Sequence, residues 1–543
     1  MIDRKGTGQA DPGILFGILG VLLLGVFPLS VHDYSSITRF KYLQMLLLTG
    51  VSGFAALAFL PAWRRAFRWN NVSRILCLAY AAWVVLSAFF GSYAAKTDAD
   101  GVRIVLNGAV RYEGLITQVC YVLLFLIFSL HTPRRSIILA ACTAGIMVYT
   151  AIVLGQYAGL NVLDLFPRGR STLTNYEFQG TIGNIDMVSG YLILQIPLLM
   201  IPYVLGHGGA LLLTGALAGV FLESLMEVQS GLLSVGLLAA LILSLALVRE
   251  RVRRRAGIAL AGICLCFALR RMFALPWLDG TDSILLILRR KSLAWALMAA
   301  AFLAAGWFFS KRKTGTLSLR TVVLLWAGVL AAAFALVCFV PLGNSGMLFE
   351  IHEIFHGRPD DSFGSWRWGV WRHTLDVSRH SLLFGTGPDM FYYAMRDYLQ
   401  ATGNVLGENF DNPHNLYLAV LAGSGLPALV LYLALVISLA VHSLRKPDAF
   451  SRAVGVSVLL YSVQGFFSFS ICLVSPMAWA VFGMACADGE GSPGGFIQVY
   501  GVAQSRTRLK RLSSSSSIKR ELKGLLVFPL KQESLFYSIP DLC

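Results

Sequence analysis

Apolar residues run through this chain in long blocks, with polar punctuation between them. Fourteen blocks stand out, approximately 13–30, 42–60, 75–91, 115–130, 137–154, 187–204, 210–222, 231–248, 256–275, 293–309, 321–340, 416–443, 453–469 and 473–486. About 17 to 25 apolar residues in a helix cross the roughly 30 Å hydrocarbon layer, where a chain must satisfy its backbone hydrogen bonds internally. The pattern therefore predicts an all-α, polytopic integral membrane helix bundle of about 12–14 transmembrane helices. It further predicts an N-terminal transmembrane bundle over 1–340, one large extracytoplasmic loop over 341–415, C-terminal transmembrane helices over 416–487, and a tail over 488–543.

Composition supports the membrane assignment. Hydrophobic residues make up 56% of the chain and charged residues 14%, with a mean hydropathy of +0.67, against roughly 25% charged in soluble domains. Eight of the nine cysteines fall within or at the ends of apolar blocks, and no C-x-x-C pair exists, which argues against a disulfide framework or a zinc ribbon. The first block has no convincing small-residue cleavage site and is followed by further blocks, so it is expected to be a retained anchor.

Charge then sets the expected orientation. With a cytoplasmic N-terminus, the inner linkers hold eighteen Lys and Arg residues, among them Arg74, Arg134, Arg135, Arg249 to Arg255 and Arg452, with Glu250 and Asp448 beside them. The formal charge of +16 is thus spread over membrane-flanking loops, which argues against a nucleic-acid partner. One outer linker departs from the rule, because Arg270, Arg271, Arg289, Arg290 and Lys291 would lie outside; a re-entrant or interfacial piece at 276–292 would account for them.

Two regions break the apolar pattern. The loop at 341–415 is too long and polar to be a connector, and it carries Arg358, Arg367, Arg372, Arg379 and Arg396 with no lysine. A guanidinium grips phosphate oxygens in a two-pronged fork and stays charged at any accessible pH, so arginine in this setting points to a phosphate-bearing substrate. The tail, with "RTRLKRLSSSSSIKREL", is too polar to fold by itself and resembles a translated interspersed repeat; no function is read from it.

The same loop contains His352-Glu353-Ile354-Phe355-His356, which matches the zinc-peptidase pattern H-E-x-x-H. On a helix the histidines share one face, and the glutamate would serve as general base. Against this, 347–356 reads as an amphipathic surface helix. It stops at Gly357-Arg358-Pro359, and the third-ligand extension that follows such motifs is missing. No metal is expected.

"GSWRWGVWRHTLDVSRHSLLFGTGPDMF" (Gly364 to Phe391) followed by "DNPHNLYLAVLAGSGLPALVLYLAL" (Asp411 to Leu435) resembles the signature region of the O-antigen ligase and polymerase superfamily of bacterial membrane glycosyltransferases. The resemblance rests on Arg367 with Trp371, the turn Gly385-Thr386-Gly387-Pro388, and His414-Asn415 opening an apolar block with Gly423 and Gly425 soon after. "RYEGLIT" from Arg111 and "FQGTIGNIDMVSGYL" from Phe178 are similar to other segments of the family. It implies transfer or polymerisation of a glycan from a polyprenyl-diphosphate donor onto an acceptor hydroxyl, with no cofactor. The expected site is the extracytoplasmic side of the bacterial cytoplasmic (inner) membrane. The expected partners are the lipid-linked donor, a glycan, lipid or protein acceptor, and membrane lipids.

On that resemblance His414 is expected to handle the acceptor proton and Arg367 to bind the departing diphosphate, both as catalytic residues. Arg111, Arg168, Arg170, Arg372 and Asn415 are expected to bind substrate, with Asn415 orienting the imidazole. Plainer alternatives stay open, with His414 as a helix cap and Arg367 snorkelling among Trp366, Trp368 and Trp371, and Asp186, at the outer end of the sixth block, reads equally as a site carboxylate or as a cap neighbour. One departure stands out. Many members carry Ser-Arg-Gly near the outer start of a middle span, where this chain has Gln229-Ser230-Gly231. A multispan transporter or lipid-linked glycan flippase is the alternative class, with a zinc peptidase behind it. A transporter is expected to place ionisable groups near the bilayer midplane, whereas here the suggestive residues collect at one boundary.

Overall fold

The computed structural model describes residues 12–58, 71–130, 134–158, 160–165, 178–278, 292–312, 315–340, 346–404 and 410–487. Every apolar block falls on a helix: α1 (Pro12–Val21), continued by tighter and looser turns to Leu29, α2 (Ile37–Ala58), α3 (Val72–Phe90), α4 (Leu115–Leu130), α5 (Arg135–Tyr157), α6 (Ile185–Val204), α7 (Ala210–Met226), α8 (Gln229–Val248), α9 (Arg253–Leu278), α10 (Leu293–Lys311) and α11 (Leu319–Phe339). The polar loop holds α12 (Met347–Phe355), α13 (Arg367–Arg379) and α14 (Phe391–Thr402), and the chain closes with α15 (Leu416–Arg445), α16 (Ala449–Gly465) and α17 (Ser475–Cys486). A two-residue ladder, β1 (Phe178–Gln179) against β2 (Gly183–Asn184), precedes α6.

Among the described residues, eight helices are long and apolar enough to cross a membrane, and four more apolar helices are shorter. The chain is an all-α, multi-pass membrane bundle. Its main core runs from Phe16 to Cys486, so the C-terminal helices pack among the N-terminal ones. The central helix is α6, every residue from Met187 to Val204 being buried. At the margin, α11 leaves Leu324, Leu330 and Phe339 68–84% exposed, the surface a helix presents when lipid is its neighbour. The tail and most of the proposed 276–292 piece lie outside the described residues, although α9 reaches Leu278.

The two ends of the bundle differ in chemistry. At one end, cations from the basic linkers close helix C-termini, Arg74 donating to Ser129 O (2.7 Å) and Arg255 to Tyr203 O (3.0 Å), while Arg135 at the start of α5 pairs with Asp448, the N-cap of α16 (3.0 Å). Carbonyls at a helix C-terminus carry partial negative charge, and cations there stabilise them. The opposite end gathers the starts of α4, α6 and α15 with the loop helices.

Candidate active site

The signature glycines are explained by backbone packing. Residues 384–387 thread between the end of α3 and the first turns of α15. Ser92 N donates to Gly385 O and Tyr93 N to Thr386 O (both 3.0 Å), while Thr386 N reaches Ala422 O (2.8 Å) and Gly387 N reaches Gly423 O (2.9 Å). Those two carbonyls are freed because α15 is broken at Gly425 (φ +83°), just as apolar surroundings require a new partner for each unpaired group. A Cβ at Gly385 or Gly425 would press on the backbone opposite, and both residues have φ values that favour glycine.

The turn delivers Asp389, itself at φ +58°, into a cradle of amides. Its Oδ2 accepts from the backbone N–H of Arg111 (3.2 Å), Glu113 (3.3 Å) and Val110 (3.4 Å). Gly108 (φ +100°) allows this approach, since a Cβ there would overlap the carboxylate. Burial raises the Asp389 carboxyl to about 6, with the three amides pulling the other way. Arg111, fixed through its backbone, forms a fork with Asp411 (Nε–Oδ2 2.5 Å, Nη2–Oδ1 2.9 Å) and lies 4.4 Å over the Phe469 ring. Glu113 turns inward, accepting from Tyr121 (2.5 Å) and Ser470 (3.0 Å), and burial pushes it up to about 8. Arg111, Glu113, Asp389 and Asp411 line a cavity of about 90 Å³ floored by Tyr80, Tyr432 and Trp479.

His414 stands beside this group in left-handed conformation (φ +49°), held by its own amide on Asn412 Oδ1 (2.8 Å) and by Trp371 Nε1 on Pro413 O (2.9 Å). Phe410 and Phe469 meet its ring edge to face. Its Nδ1 is sealed from solvent with no hydrogen-bond partner. Burial, then the positive fields of Arg367 and Arg111, lower its pKa to about 4, so the imidazole is neutral at ordinary pH. A buried nitrogen left unpaired costs about 1–3 kcal/mol, which marks it as a group awaiting a partner.

Arg367 opens α13 after two left-handed residues, Ser365 and Trp366. Its hold is loose: Nη2 lies 3.6 Å from Asp186, Nη1 donates to Gly364 O at 3.4 Å, and Nε is buried and unpaired. Trp371 sits one helical turn on, so one face of α13 carries both Arg367 and the indole that fixes the segment before His414. Asn184 caps α6 by accepting from Asp186 N (2.9 Å), which leaves the Asp186 carboxylate to face Arg367.

The other expected residues are placed as follows. Asn415 caps α15, its Oδ1 accepting from Tyr417 N (3.0 Å) and Leu418 N (3.1 Å), so that oxygen is not engaged with the imidazole. Arg372 forms an exposed pair with Asp361 (2.6 Å). Arg168 and Arg170 lie outside the described residues. Gly231 abuts the buried carboxylate of Glu223 and the Ser189 hydroxyl, leaving no space for a side chain. A cation reaches that end from α9 instead, Arg270 pairing with Glu227 (2.7 Å) and donating to Ser224 O (3.0 Å). In the H-E-x-x-H segment, His352 Nδ1 is bonded to Val337 O (2.7 Å), His356 Nδ1 to His352 O (2.8 Å), and Glu353 to Arg358 (2.7 Å). Among the described residues no third metal-ligating side chain joins them.

Residues 280–433 match the family model described as O-antigen ligase. The chain carries an O-antigen ligase domain. This segment includes Arg367, the glycine turn, Asp389, Asp411 and His414, while Arg111, Glu113, Asp186 and Phe469 join the cluster from outside it. No curated protein matches the chain. The matched family comprises glycosyltransferase-like membrane enzymes of polysaccharide biosynthesis that work on lipid-linked glycans and their acceptors, and residues 280–433 are similar to it. Three acids joined to the candidate site are not evident from sequence: Asp389, Asp411 and Glu113. A weak signal existed, since each lies close to a residue singled out for another reason: Asp389 follows Pro388, Asp411 stands three before His414, and Glu113 two after Arg111.

Proposed function

We propose that this protein transfers or polymerises a glycan from a polyprenyl-diphosphate donor onto an acceptor hydroxyl at the outer face of the bacterial cytoplasmic membrane. The observation that carries the reading is a neutral, partly buried imidazole with an unpaired nitrogen, set in the field of two guanidiniums, one of them loosely held. The sidedness is supported by the arginine-rich linkers at the opposite end, which the positive-inside rule assigns to the cytoplasm.

In the proposed reaction the acceptor oxygen attacks the anomeric carbon of the donor sugar. His414 takes the hydroxyl proton as the new C–O bond forms, and the bond from that carbon to the diphosphate oxygen breaks, its electron pair leaving with the diphosphate. Arg367 exchanges its weak contact with Asp186 for the developing charge, where donors preorganised in a poorly hydrated pocket act most strongly. Arg111 stays clamped to Asp411 and adds a fixed positive field. Arg168, Arg170 and Arg372 are proposed as contacts along the donor or glycan, and Asn415 holds the first turn of α15 under the imidazole. No step draws on a metal or another cofactor.

The test is a reaction of purified protein with a polyprenyl-diphosphate glycan and candidate acceptors, with and without chelator. Transfer that survives chelation and the change His352→Ala supports the proposal. Transfer abolished by both would assign the chemistry to the H-E-x-x-H segment.

A further inference from the structure

At the end of the bundle opposite His414, four linkers meet around a concavity of about 730 Å³. It is lined by Leu205 and His207 after α6, by Arg249, Glu250, Arg251 and Val252 between α8 and α9, by Gly315 and Thr316 before α11, and by Pro447, Ala449 and Arg452 at the start of α16. This size lies within the roughly 300–1,000 Å³ of small-molecule pockets. Its walls are tied together by arginines that do not face it as ligands. Arg253, nearly buried, donates to Ala246 O (3.2 Å) and Gly315 O (3.0 Å), and Arg255 donates to Tyr203 O (3.0 Å) and Gly208 O (3.2 Å). Leu317 N closes the seam on Leu247 O (3.1 Å).

The arginines left to line the hollow are used differently. Arg249 and Arg251 are exposed, and among the described residues no carboxylate pairs with Arg249, Arg251 or Arg452. Arg452 spends its Nε on Lys446 O (3.0 Å), and Glu250 leans toward Arg253 at 3.8 Å. The active-site end behaves otherwise, with Arg111, Arg270, Arg358 and Arg372 each in an ion pair of 2.7 Å or less. Three guanidiniums around one hollow repel each other unless an anion joins them, and forked donors suit phosphate oxygens. Basic pockets between membrane helices bind phospholipid headgroups by this chemistry, and here Leu205, Val252 and Pro447 supply an apolar wall.

We propose that this concavity is a binding site for a phosphate-bearing anion, gripped by Arg249, Arg251 and Arg452, and separate from the transfer site. Two sources carry that chemistry, an anionic phospholipid headgroup and a soluble diphosphate. Full-length protein in detergent is melted against increasing phosphatidylglycerol or, separately, sodium pyrophosphate, and retained lipid is counted by native mass spectrometry. Saturable stabilisation by one or both is expected, and the probe that acts names the source. In the double variant Arg249→Gln/Arg251→Gln, whose native side chains bond to no other described residue, the half-saturating concentration rises at least about tenfold. Arg452→Gln shifts it in the same direction, while Arg254→Gln, in the same basic run but outside the lining, leaves it within about twofold. The proposal is overturned if neither probe saturates, or if Arg254→Gln weakens binding as much as the double variant.

Discussion

Asp389 holds Arg111 through its backbone: the carboxylate oxygen lies 3.2 Å from the Arg111 amide nitrogen and also takes the amides of Val110 and Glu113. The glycine turn is thereby locked to the loop before α4, and the guanidinium that faces Asp411 and Phe469 inherits its position from a residue 278 places later. Asp389→Ala removes the single oxygen that accepts from all three amides. A displacement of about 1 Å in such a group costs on the order of 10²-fold in rate, so kcat/KM for glycan transfer is expected to fall by about that factor. Asp389→Asn, which keeps one acceptor oxygen, is expected to retain more activity than Asp389→Ala; equal activity in wild type and Asp389→Ala would remove this positioning role.

The low pKa of His414 sets the acid limb of the pH profile. A base must be neutral, and this imidazole stays neutral down to about pH 4 where an ordinary histidine protonates near 6.5. The kcat/KM for transfer is therefore expected to hold between pH 7 and 5 and to fall only below that. The same shift makes the unfolded chain bind more protons than the folded one between about pH 6.5 and 4, so the His414 contribution to stability is lost as pH drops through that window. An acid limb centred near 6.5 in the free enzyme would contradict the assignment.

Glu113 gives the opposite slope. Its folded pKa of about 8 lies above the ordinary 4.5, so the folded state binds more protons between those values and loses stability as pH rises from 4.5 to 8. Glutamine mimics the protonated acid, its oxygen accepting from Tyr121 and its amide, like the acid O–H, donating to a Ser470 hydroxyl turned to accept. Melting curves from pH 5 to 8.5 should show wild type declining and Glu113→Gln flat, with the variant more stable at the alkaline end. Parallel curves would show that the carboxyl is ionised throughout.

Gly425 tests the close packing of the signature turn. A Cβ there would strike the backbone of Leu383, and a left-handed residue other than glycine costs about 1–3 kcal/mol more. Gly425→Ala is expected to lower the melting temperature and transfer together. Gly328→Ala, in α11 with no atom near the added methyl, is expected to leave both unchanged. A neutral Gly425→Ala would mean that the turn and α15 are free to separate.

Much of the fold was legible because a membrane span writes itself locally: about twenty apolar residues and a basic linker suffice to place it. Arg367, Trp371 and His414 were legible by resemblance, within one stretch of chain. What escaped was long-range. The Arg111–Asp411 fork joins residues 300 apart, and the cradle under Asp389 is made of backbone amides that no side-chain pattern announces. Asn415 was given the imidazole as its partner, yet the two orphan amides of a helix start were nearer and claim its oxygen. Arg270, an outlier by the charge rule, has its explanation in Glu227 at the end of the neighbouring helix α7.

The most direct measurement compares purified wild type, His414→Ala and Arg367→Ala in transfer of a glycan from a polyprenyl-diphosphate donor at pH 7. Both variants should remain folded and lose transfer by at least about 10²-fold, since each removes a group acting on the transition state. Arg367→Ala should in addition weaken donor binding. Wild-type rates in either folded variant would contradict the account.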